Sequence, residues 1–371
     1  MKREHEFFKP FAFDRPLFFI TLILVTLGIV MVFSASGVLS SERFGHPFHY
    51  LIHQLFGAGV GFSLILILMR LEIPLYENLF VIYSFLVLTM VLLVLCLFMP
   101  AERQVQRWII LPNFRFQPSE LAKLSLILFL AGFIALKKEK INHPINLAIP
   151  LMTCFTAIFL ILKEPDYSTA ALICITCFSM LFIGGVKFKY FLFPGLLTMG
   201  VFSLALLLSN YKMERFLSFL NPTQDPLDSG FHAIQSKLAV SSGGIFSLNI
   251  GESIQKLFFL PAAHTDYIYA IIGEELGLVG TLAVIILFTA FLWRGLVIAQ
   301  RAPSLFSRIA AAGITLAIFF QAVLNISIVL GLGPSTGIPL PFISYGRSSL
   351  VMTLCAVGIL LHISQRRTNR W

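Results

Sequence analysis

Apolar runs of about 18 or more residues recur along the whole chain, separated by short polar turns. A run of this length crosses the roughly 30 Å hydrocarbon core of a bilayer as a helix. Open strands cannot face lipid, and no ten-residue segments of alternating polarity indicate a membrane barrel. The pattern predicts an all-α membrane protein with about ten transmembrane helices, at Pro16–Leu39, His49–Met69, Leu79–Met99, Ser119–Leu136, Pro144–Leu162, Tyr167–Gly185, Tyr190–Ser209, Tyr267–Trp293, Leu305–Leu330 and Phe342–Ile363.

The composition supports this class and excludes several others. Of the 371 residues, 57% are hydrophobic and only 12% are charged, and the mean hydropathy is +0.88. A soluble globular protein carries about 25% charged residues, so too little polar surface is available here. Five cysteines scattered over the length do not make a disulfide scaffold. We expect one polytopic membrane domain over residues 1–371.

The basic residues predict the orientation of these spans. Sixteen of the 27 Lys and Arg fall in the two tails and in the turns on the same side, and ten fall on the other side. The positive-inside rule makes that first side, and both termini, cytoplasmic. The net charge of +9 is therefore a topology signal, and nucleic acid is not an expected partner. The first span is preceded by acidic residues and is too long for a cleavable signal peptide.

One connection is long. Residues 210–265 form a large extracytoplasmic loop between spans seven and eight, in which Phe231, Ile234 and Leu238 recur at helical spacing. This pattern is typical of a helix lying in the outer interface with its apolar face down. A solvated loop carrying such a helix fits the sequence equally well.

Polar residues at membrane depth gather toward the extracytoplasmic side. Asp266 opens the eighth span and could be a helix cap, but Glu274 and Glu275 follow two turns deeper, where carboxylates usually face a cavity or a partner. Glu120 and Lys123 share one face of span four at i, i+3 spacing and can neutralise each other.

Three further segments contain polar or turn-forming residues. Lys163 to Asp166 forms a charged external turn, and residues 333–346 form a last outer loop rich in proline and glycine. Gln321 and Asn325 make a polar stripe on span nine, for which helix–helix hydrogen bonding is the simplest interpretation.

Other candidate sites fail. Cys174 and Cys177 form a CxxC inside an apolar span without a nearby histidine, which indicates packing. His46, His49 and His53 lie at a span entry, and no glycine-rich phosphate loop follows a strand. We expect no cofactor, although the sequence leaves a divalent cation open.

Several motifs resemble the SEDS family, the FtsW/RodA/SpoVE group of bacterial cell-wall polymerases. They run in family order over nearly the whole chain and are highly specific together. The matching segments are Arg107-Trp108-Ile109, Gln117-Pro118-Ser119-Glu120 with Lys123, Glu164-Pro165-Asp166, Asn221-Pro222, Gln235-Ser236, Ser242-Gly243-Gly244, His264-Thr265-Asp266, Gly273-Glu274-Glu275-Leu276-Gly277 and residues 336–346.

The resemblance implies a peptidoglycan glycosyltransferase of the cytoplasmic (inner) membrane. Such an enzyme polymerises lipid II with a class B penicillin-binding protein, a transpeptidase of the division or elongation complex. Its essential carboxylate corresponds to Asp266 here. The segments 263–266 and 272–275 look more like the division-specific FtsW branch than the RodA branch. The chain departs from the family pattern at Arg347, where a glycine is usual, and at Glu164, where a glutamine is usual.

The expected chemistry needs one base and one cation. A lipid diphosphate leaves readily when a cation stabilises its charge, so the remaining task is to remove a proton from the attacking hydroxyl. We assign that task to Asp266. The candidate cations are Arg107, Lys123, Arg215 and Lys256, and further candidate contacts are Glu120, His264, Thr265 and Ser344. A lipid II flippase and a non-catalytic scaffold of the cell-wall synthesis complex remain the alternatives.

Overall fold

The computed structural model describes residues 13–71, 75–99, 107–111, 114–191, 231–245 and 260–365 except 335 and 336, with isolated positions between 195 and 256. Ten α-helices lie in these ranges. They are α1 (Arg15–Phe44), α2 (His49–Arg70), α3 (Leu79–Cys96), α4 (Pro118–Lys137), α5 (Pro144–Lys163), α6 (Tyr167–Ile183), α7 (Phe231–Ser242), α8 (Ile268–Arg301), α9 (Leu305–Val329) and α10 (Arg347–Gln365).

Nine of these helices coincide with predicted spans. By length and composition, α1 to α5 and α8 to α10 can cross a membrane, and α6 is an apolar helix of 17 residues. The prediction of a helical, multi-pass membrane protein is confirmed. The predicted seventh span, Tyr190–Ser209, lies mostly outside the described residues, as do Arg215 and most of the loop at 210–265.

Three predicted boundaries differ from the helix ends by five residues or more. The first span was expected to end at Leu39, but α1 continues to Phe44. The last span was expected from Phe342, but residues 341–346 form a turn in which Phe342 has φ 66°, and α10 begins at Arg347. The eighth span was expected to end at Trp293, but α8 continues to Arg301. Hydropathy locates the apolar run, and it does not locate the ends of the helix that contains the run.

A salt bridge accounts for the extended end of α8. Arg294 donates to both carboxylate oxygens of Asp14, through Nε at 3.2 Å and Nη2 at 2.5 Å. Asp14 is fully buried in its side chain and caps α1 by accepting from the Leu17 N–H at 3.1 Å. The pair therefore joins the start of α1 to α8 near its C-terminal end.

The connection between α3 and α4 contains a small hairpin. Strand β1 (Ile109–Leu111) pairs antiparallel with β2 (Phe114–Phe116), with Ile109 opposite Phe116. This register brings the residues before β1 back to the start of α4. Arg107 therefore lies near the start of α4.

Helix α4 lies at the centre, since 15 of its 20 residues are buried, against 7 of 22 in α2 and 5 of 18 in α3. It contacts α3, α6 and α9, and α10 packs along α2. Small residues allow the close approaches. A Cβ on Gly295 would lie 2.2 Å from the Thr315 hydroxyl, and one on Gly313 would lie 2.6 Å from the Met180 sulfur.

Helix α7 is present where helical spacing predicted it, but another face is buried. Ser236, Ala239 and Gly243 are buried, whereas Leu238 is 49% exposed. Gly243 packs against the backbone of Gly273 in α8, and the Ser236 hydroxyl donates to the carbonyl of Val329 at 3.0 Å. The helix is therefore docked on α8 and α9 through small residues.

The charged turn predicted between α5 and α6 is present, with the side chains of Glu164 and Asp166 buried and Lys163 exposed. Asp166 caps α6 through Thr169 and accepts from Gln117 Nε2 at 2.9 Å. Glu164 is fully buried, and neither carboxyl oxygen has a hydrogen-bond partner among the described residues. Burial, and then the nearby charge of Asp166, raise its pKa to about 8, while Arg107 opposes the shift.

The contact between α1 and the last outer loop gives a first prediction. A Cβ on Gly28 would lie 2.5 Å from the Phe342 carbonyl and 2.6 Å from the Ile343 Cα, whereas a Cβ on Gly37 of the same helix meets nothing. We expect Gly28→Ala to lower the free energy of unfolding by about 1–3 kcal/mol through overpacking. Gly37→Ala should be neutral or stabilising. Thermal unfolding in detergent compares them, and equal melting temperatures would contradict this packing.

Glu164 gives a second prediction. Its pKa is about 8 when folded, against 4.5 for an ordinary glutamate, so stability present below pH 4.5 is lost as the pH rises towards 8. Glu164→Gln keeps the neutral form and should flatten this loss, with a higher melting temperature at pH 8. The exposed Glu42→Gln is the control and should keep the wild-type slope. An unchanged slope in Glu164→Gln would show that the carboxyl is not responsible.

Candidate active site

Asp266 lies in a tight turn that ends where α8 begins. The Ala262 carbonyl accepts from the N–H groups of Thr265 at 3.0 Å and Asp266 at 3.1 Å, and from the Thr265 hydroxyl at 3.1 Å. Ala262 has φ 57°, a left-handed conformation that is costly for a residue other than glycine. The helix cap is Tyr267, so the interpretation of Asp266 as the cap is wrong. Its side chain is half-buried.

Asn325 holds the backbone at this position. Its Nδ2 donates to the Asp266 carbonyl at 2.8 Å and to the Ile338 carbonyl at 2.7 Å. One turn away, Gln321 Nε2 donates to the Pro339 carbonyl at 2.9 Å. The polar stripe on α9 therefore fixes the last outer loop beside Asp266. The expected helix–helix hydrogen bonding is found for Gln321 alone, which also bonds to α4.

The bond to α4 comes from Lys123. Its Nζ lies 2.8 Å from the Glu120 carboxylate and donates to Gln321 Oε1 at 2.7 Å. The side chains of Lys123 and Glu120 are only 12% and 4% exposed. The expected neutralisation at i, i+3 is thus present, and it extends into a buried chain of polar contacts from α4 through α9 to the last outer loop.

Arg107 and Asp266 face the same space. A methyl group placed on Gly337 would lie 3.4 Å from Arg107 Nη1 and 3.6 Å from Asp266 Oδ2. Because residue 337 is a glycine, the guanidinium of Arg107 and the carboxylate of Asp266 both approach its backbone closely. No local pattern singles out Gly337 from the other glycines of the loop.

Aromatic rings form one side of the turn. The ring of His264 lies 4.7 Å from that of Tyr50 and 5.7 Å from that of Tyr345, and the Tyr345 N–H donates to the His264 carbonyl at 2.9 Å. Burial, and then the charge of Arg43, lower the pKa of His264 to about 4. His264 is therefore neutral at neutral pH and supports the turn through packing.

Hydrogen bonds of a serine and a glutamine side chain hold the last outer loop, residues 333–346, in place. Ser344 is buried, and its hydroxyl accepts from the Leu340 N–H at 2.7 Å, which makes it part of the loop's internal structure. Gln54 in α2 donates to the Ser344 carbonyl at 3.2 Å. Gln54 is a polar residue inside an apolar run, a signal that sequence reasoning missed.

Glu274 and Glu275 hold the segment that leads into the Asp266 turn. Glu275 accepts from the Ser34 hydroxyl at 2.6 Å and pairs with Lys256 Nζ at 2.8 Å. Glu274 accepts from the Ser253 hydroxyl at 2.5 Å and the Gln255 N–H at 3.3 Å. These carboxylates therefore have partners, as expected at this depth, and they tie the end of the long loop to α8 and α1.

The structure thus separates the predicted site residues. Arg107 and Asp266 both lie beside Gly337, with Thr265 and His264 in the same turn as Asp266. Glu120, Lys123, Lys256 and Ser344 are engaged in internal contacts, and Arg215 lies outside the described residues. Within the part of the chain that is described, no group of three or more His, Cys, Asp or Glu residues could hold a metal ion.

Comparisons with known proteins agree with this arrangement. The sequence pattern of the FtsW/RodA/SpoVE family, described as a cell cycle protein, matches residues 15–369. Stage V sporulation protein E of Bacillus subtilis is 39% identical over 95% of this chain and 97% of its own length. A probable peptidoglycan glycosyltransferase FtsW of Geobacter sulfurreducens is 37% identical over 95% of each chain.

Solved structures share the fold. A chain from work on the structural coordination of polymerization and crosslinking by a peptidoglycan synthase complex matches with TM-score 0.75 and 30% identity, over 97% of this chain and 99% of that one. The rod shape determining protein RodA of Thermus thermophilus matches with TM-score 0.71 and 27% identity over the same shares. Sequence, fold and conserved length together place this chain in the FtsW/RodA/SpoVE family of multi-pass bacterial membrane proteins.

Proposed function

We propose that this chain is a peptidoglycan glycosyltransferase that polymerises lipid II at the outer face of the cytoplasmic membrane. The observation that carries the proposal is that the side chains of Asp266 and Arg107 both lie beside Gly337, so that a carboxylate and a cation are close together. The position of these groups at the extracytoplasmic ends of the helices suits a substrate whose lipid lies in the bilayer and whose sugars lie outside. The names of the FtsW relatives support the same activity.

The reaction forms a bond between a sugar hydroxyl oxygen of the acceptor and the anomeric carbon of the donor. The bond from that carbon to the diphosphate oxygen breaks, and the diphosphate leaves with the electron pair. Asp266 accepts the hydroxyl proton as a general base, a role typically worth 10²–10⁴-fold in rate. The leaving diphosphate needs stabilisation of its charge rather than a proton.

Arg107 is the cation that the geometry favours for this stabilisation. Lys123 and Lys256 are neutralised by Glu120 and Glu275, so their charges already serve internal contacts. Arg107 carries a planar fork that can bind two phosphate oxygens at once, and its Nη1 and Nη2 both approach Gly337. A positive group here stabilises the negative charge that develops as the bond breaks.

The proposal includes a protein partner. We infer that a class B penicillin-binding protein works with this chain and crosslinks the strands it makes. The solved relative from a peptidoglycan synthase complex supports a two-protein arrangement. The motifs at 263–266 and 272–275 favour a division role over an elongation role.

Purified protein with a class B penicillin-binding protein and lipid II tests the assignment of Asp266. We expect Asp266→Asn to lower glycan synthesis about 10²–10⁴-fold, because the amide cannot accept the proton. Glu42→Gln, which removes an exposed carboxylate on α1, should retain wild-type synthesis. Full glycan synthesis by Asp266→Asn would contradict the assignment of Asp266 as the general base. Movement of labelled lipid II between leaflets without polymer formation would favour the flippase alternative.

The tether between Glu275 and Lys256 gives another prediction. Glu275→Gln removes the ion pair and frees the segment that positions the Asp266 turn, and a displacement of about 1 Å at a catalytic group can cost 10²-fold. We expect slower glycan synthesis together with faster trypsin cleavage after Lys256. Glu42→Gln again serves as the control for both measurements. Unchanged cleavage with slow synthesis would assign Glu275 a role in the reaction rather than in holding the loop.

A further inference from the structure

A cavity of about 540 Å³ lies between α5 and α6, remote from Asp266. Its walls are almost entirely apolar, with Leu147 and Leu151 from α5 and Phe178 and Leu181 from α6. One end is bordered by Lys189 and Tyr190, which follow α6. None of the residues assigned to the glycosyltransferase site takes part in it.

The position of the cavity determines what can fill it. It is lined along α5 from Pro144 to Ile158, a rise of about 20 Å, which exceeds half of the roughly 30 Å hydrocarbon core. Met152 on its rim is 70% exposed, so the cavity opens on the surface that the bilayer covers. Apolar cavities do not hold water. A hydrocarbon chain from the surrounding lipid is the occupant that fits these walls.

The polar end of the cavity selects among lipids. Asn142 joins the two turns there, since its Nδ2 donates to the Gly185 carbonyl at 3.1 Å and its Oδ1 accepts from the Lys187 N–H at 2.9 Å. Together these turns carry five exposed lysines and a single acid; the residues are Lys137, Lys138, Lys140, Lys187, Lys189 and Glu139. Basic groups between helices at the cytoplasmic surface attract anionic lipid head groups.

We propose that this cavity is a binding site for an anionic phospholipid of the cytoplasmic leaflet. One acyl chain fills the space between α5 and α6, and the phosphate head group lies against Lys189 and the neighbouring lysines. Lys189 Nζ lies 5.0 Å from the centre of the Tyr190 ring, which holds the ammonium at the cavity entrance. The aromatic ring itself has the amphipathic character of residues at the membrane interface.

Native mass spectrometry of the delipidated full chain, titrated with phosphatidylglycerol or phosphatidylcholine, tests this site. We expect preferential retention of phosphatidylglycerol by the wild type. Lys189→Gln should weaken it about fivefold, as each basic residue near the head group contributes about 1 kcal/mol. Ala148→Trp places a large ring in the cavity from an exposed position and should abolish the tight binding. Ile149→Trp, an exposed neighbour outside the lining, is the matched control.

The outcomes separate the alternatives. Loss of binding in Ala148→Trp with retention in Ile149→Trp supports the site. Equal retention of both lipids by the wild type, or undiminished phosphatidylglycerol binding by Ala148→Trp, overturns it. Displacement by an equal concentration of a polyprenyl phosphate would assign the cavity to a polyprenyl chain instead. Thermal unfolding of each variant establishes that it is folded, and Lys189→Gln tests the head group contact without altering the apolar walls.

Discussion

The buried contact of Lys123 with Glu120 and Gln321 is the interaction on which the outer end of this protein depends. A lone ammonium at this depth would be expensive to bury. Paired with a carboxylate 2.8 Å away and donating to an amide oxygen at 2.7 Å, it becomes a fixed joint between α4 and α9. Removing one partner of such a pair leaves an uncompensated buried charge, which is strongly destabilising.

The contact of Lys123 with Glu120 and Gln321 also bears on the last outer loop and the Asp266 turn. Gln321 also donates a hydrogen bond to the Pro339 carbonyl. One turn away, Asn325 donates to the carbonyls of Ile338 and Asp266. The last outer loop and the Asp266 turn are therefore held by the same face of α9. The links from α9 end on backbone carbonyls of the loop and of the Asp266 turn, so α9 holds the backbone at both places. A fixed backbone is what the general-base role proposed for Asp266 requires.

The sequence predicted the parts of this structure that depend on local composition. Nine helices follow from apolar length alone, and the pair Glu120 and Lys123 follows from helical spacing. The hairpin before α4, the buried face of α7 and the position of Gly337 between Arg107 and Asp266 depend on contacts between segments far apart in the chain. No local pattern carries such information. Gln54 is the exception, since a polar side chain within an apolar run is visible and indicates a buried partner.

Glu164 bears on the charge of the proposed site in a way that its position in the sequence does not reveal. It lies close enough to Arg107 for the two charges to interact, and Arg107 also borders the space at Gly337. An ionised Glu164 would compete with a substrate diphosphate for that guanidinium. Burial raises the pKa of Glu164 to about 8, so at neutral pH the carboxyl is mostly protonated and neutral. The positive charge of Arg107 is then not offset by an ionised Glu164, as the role proposed for Arg107 requires.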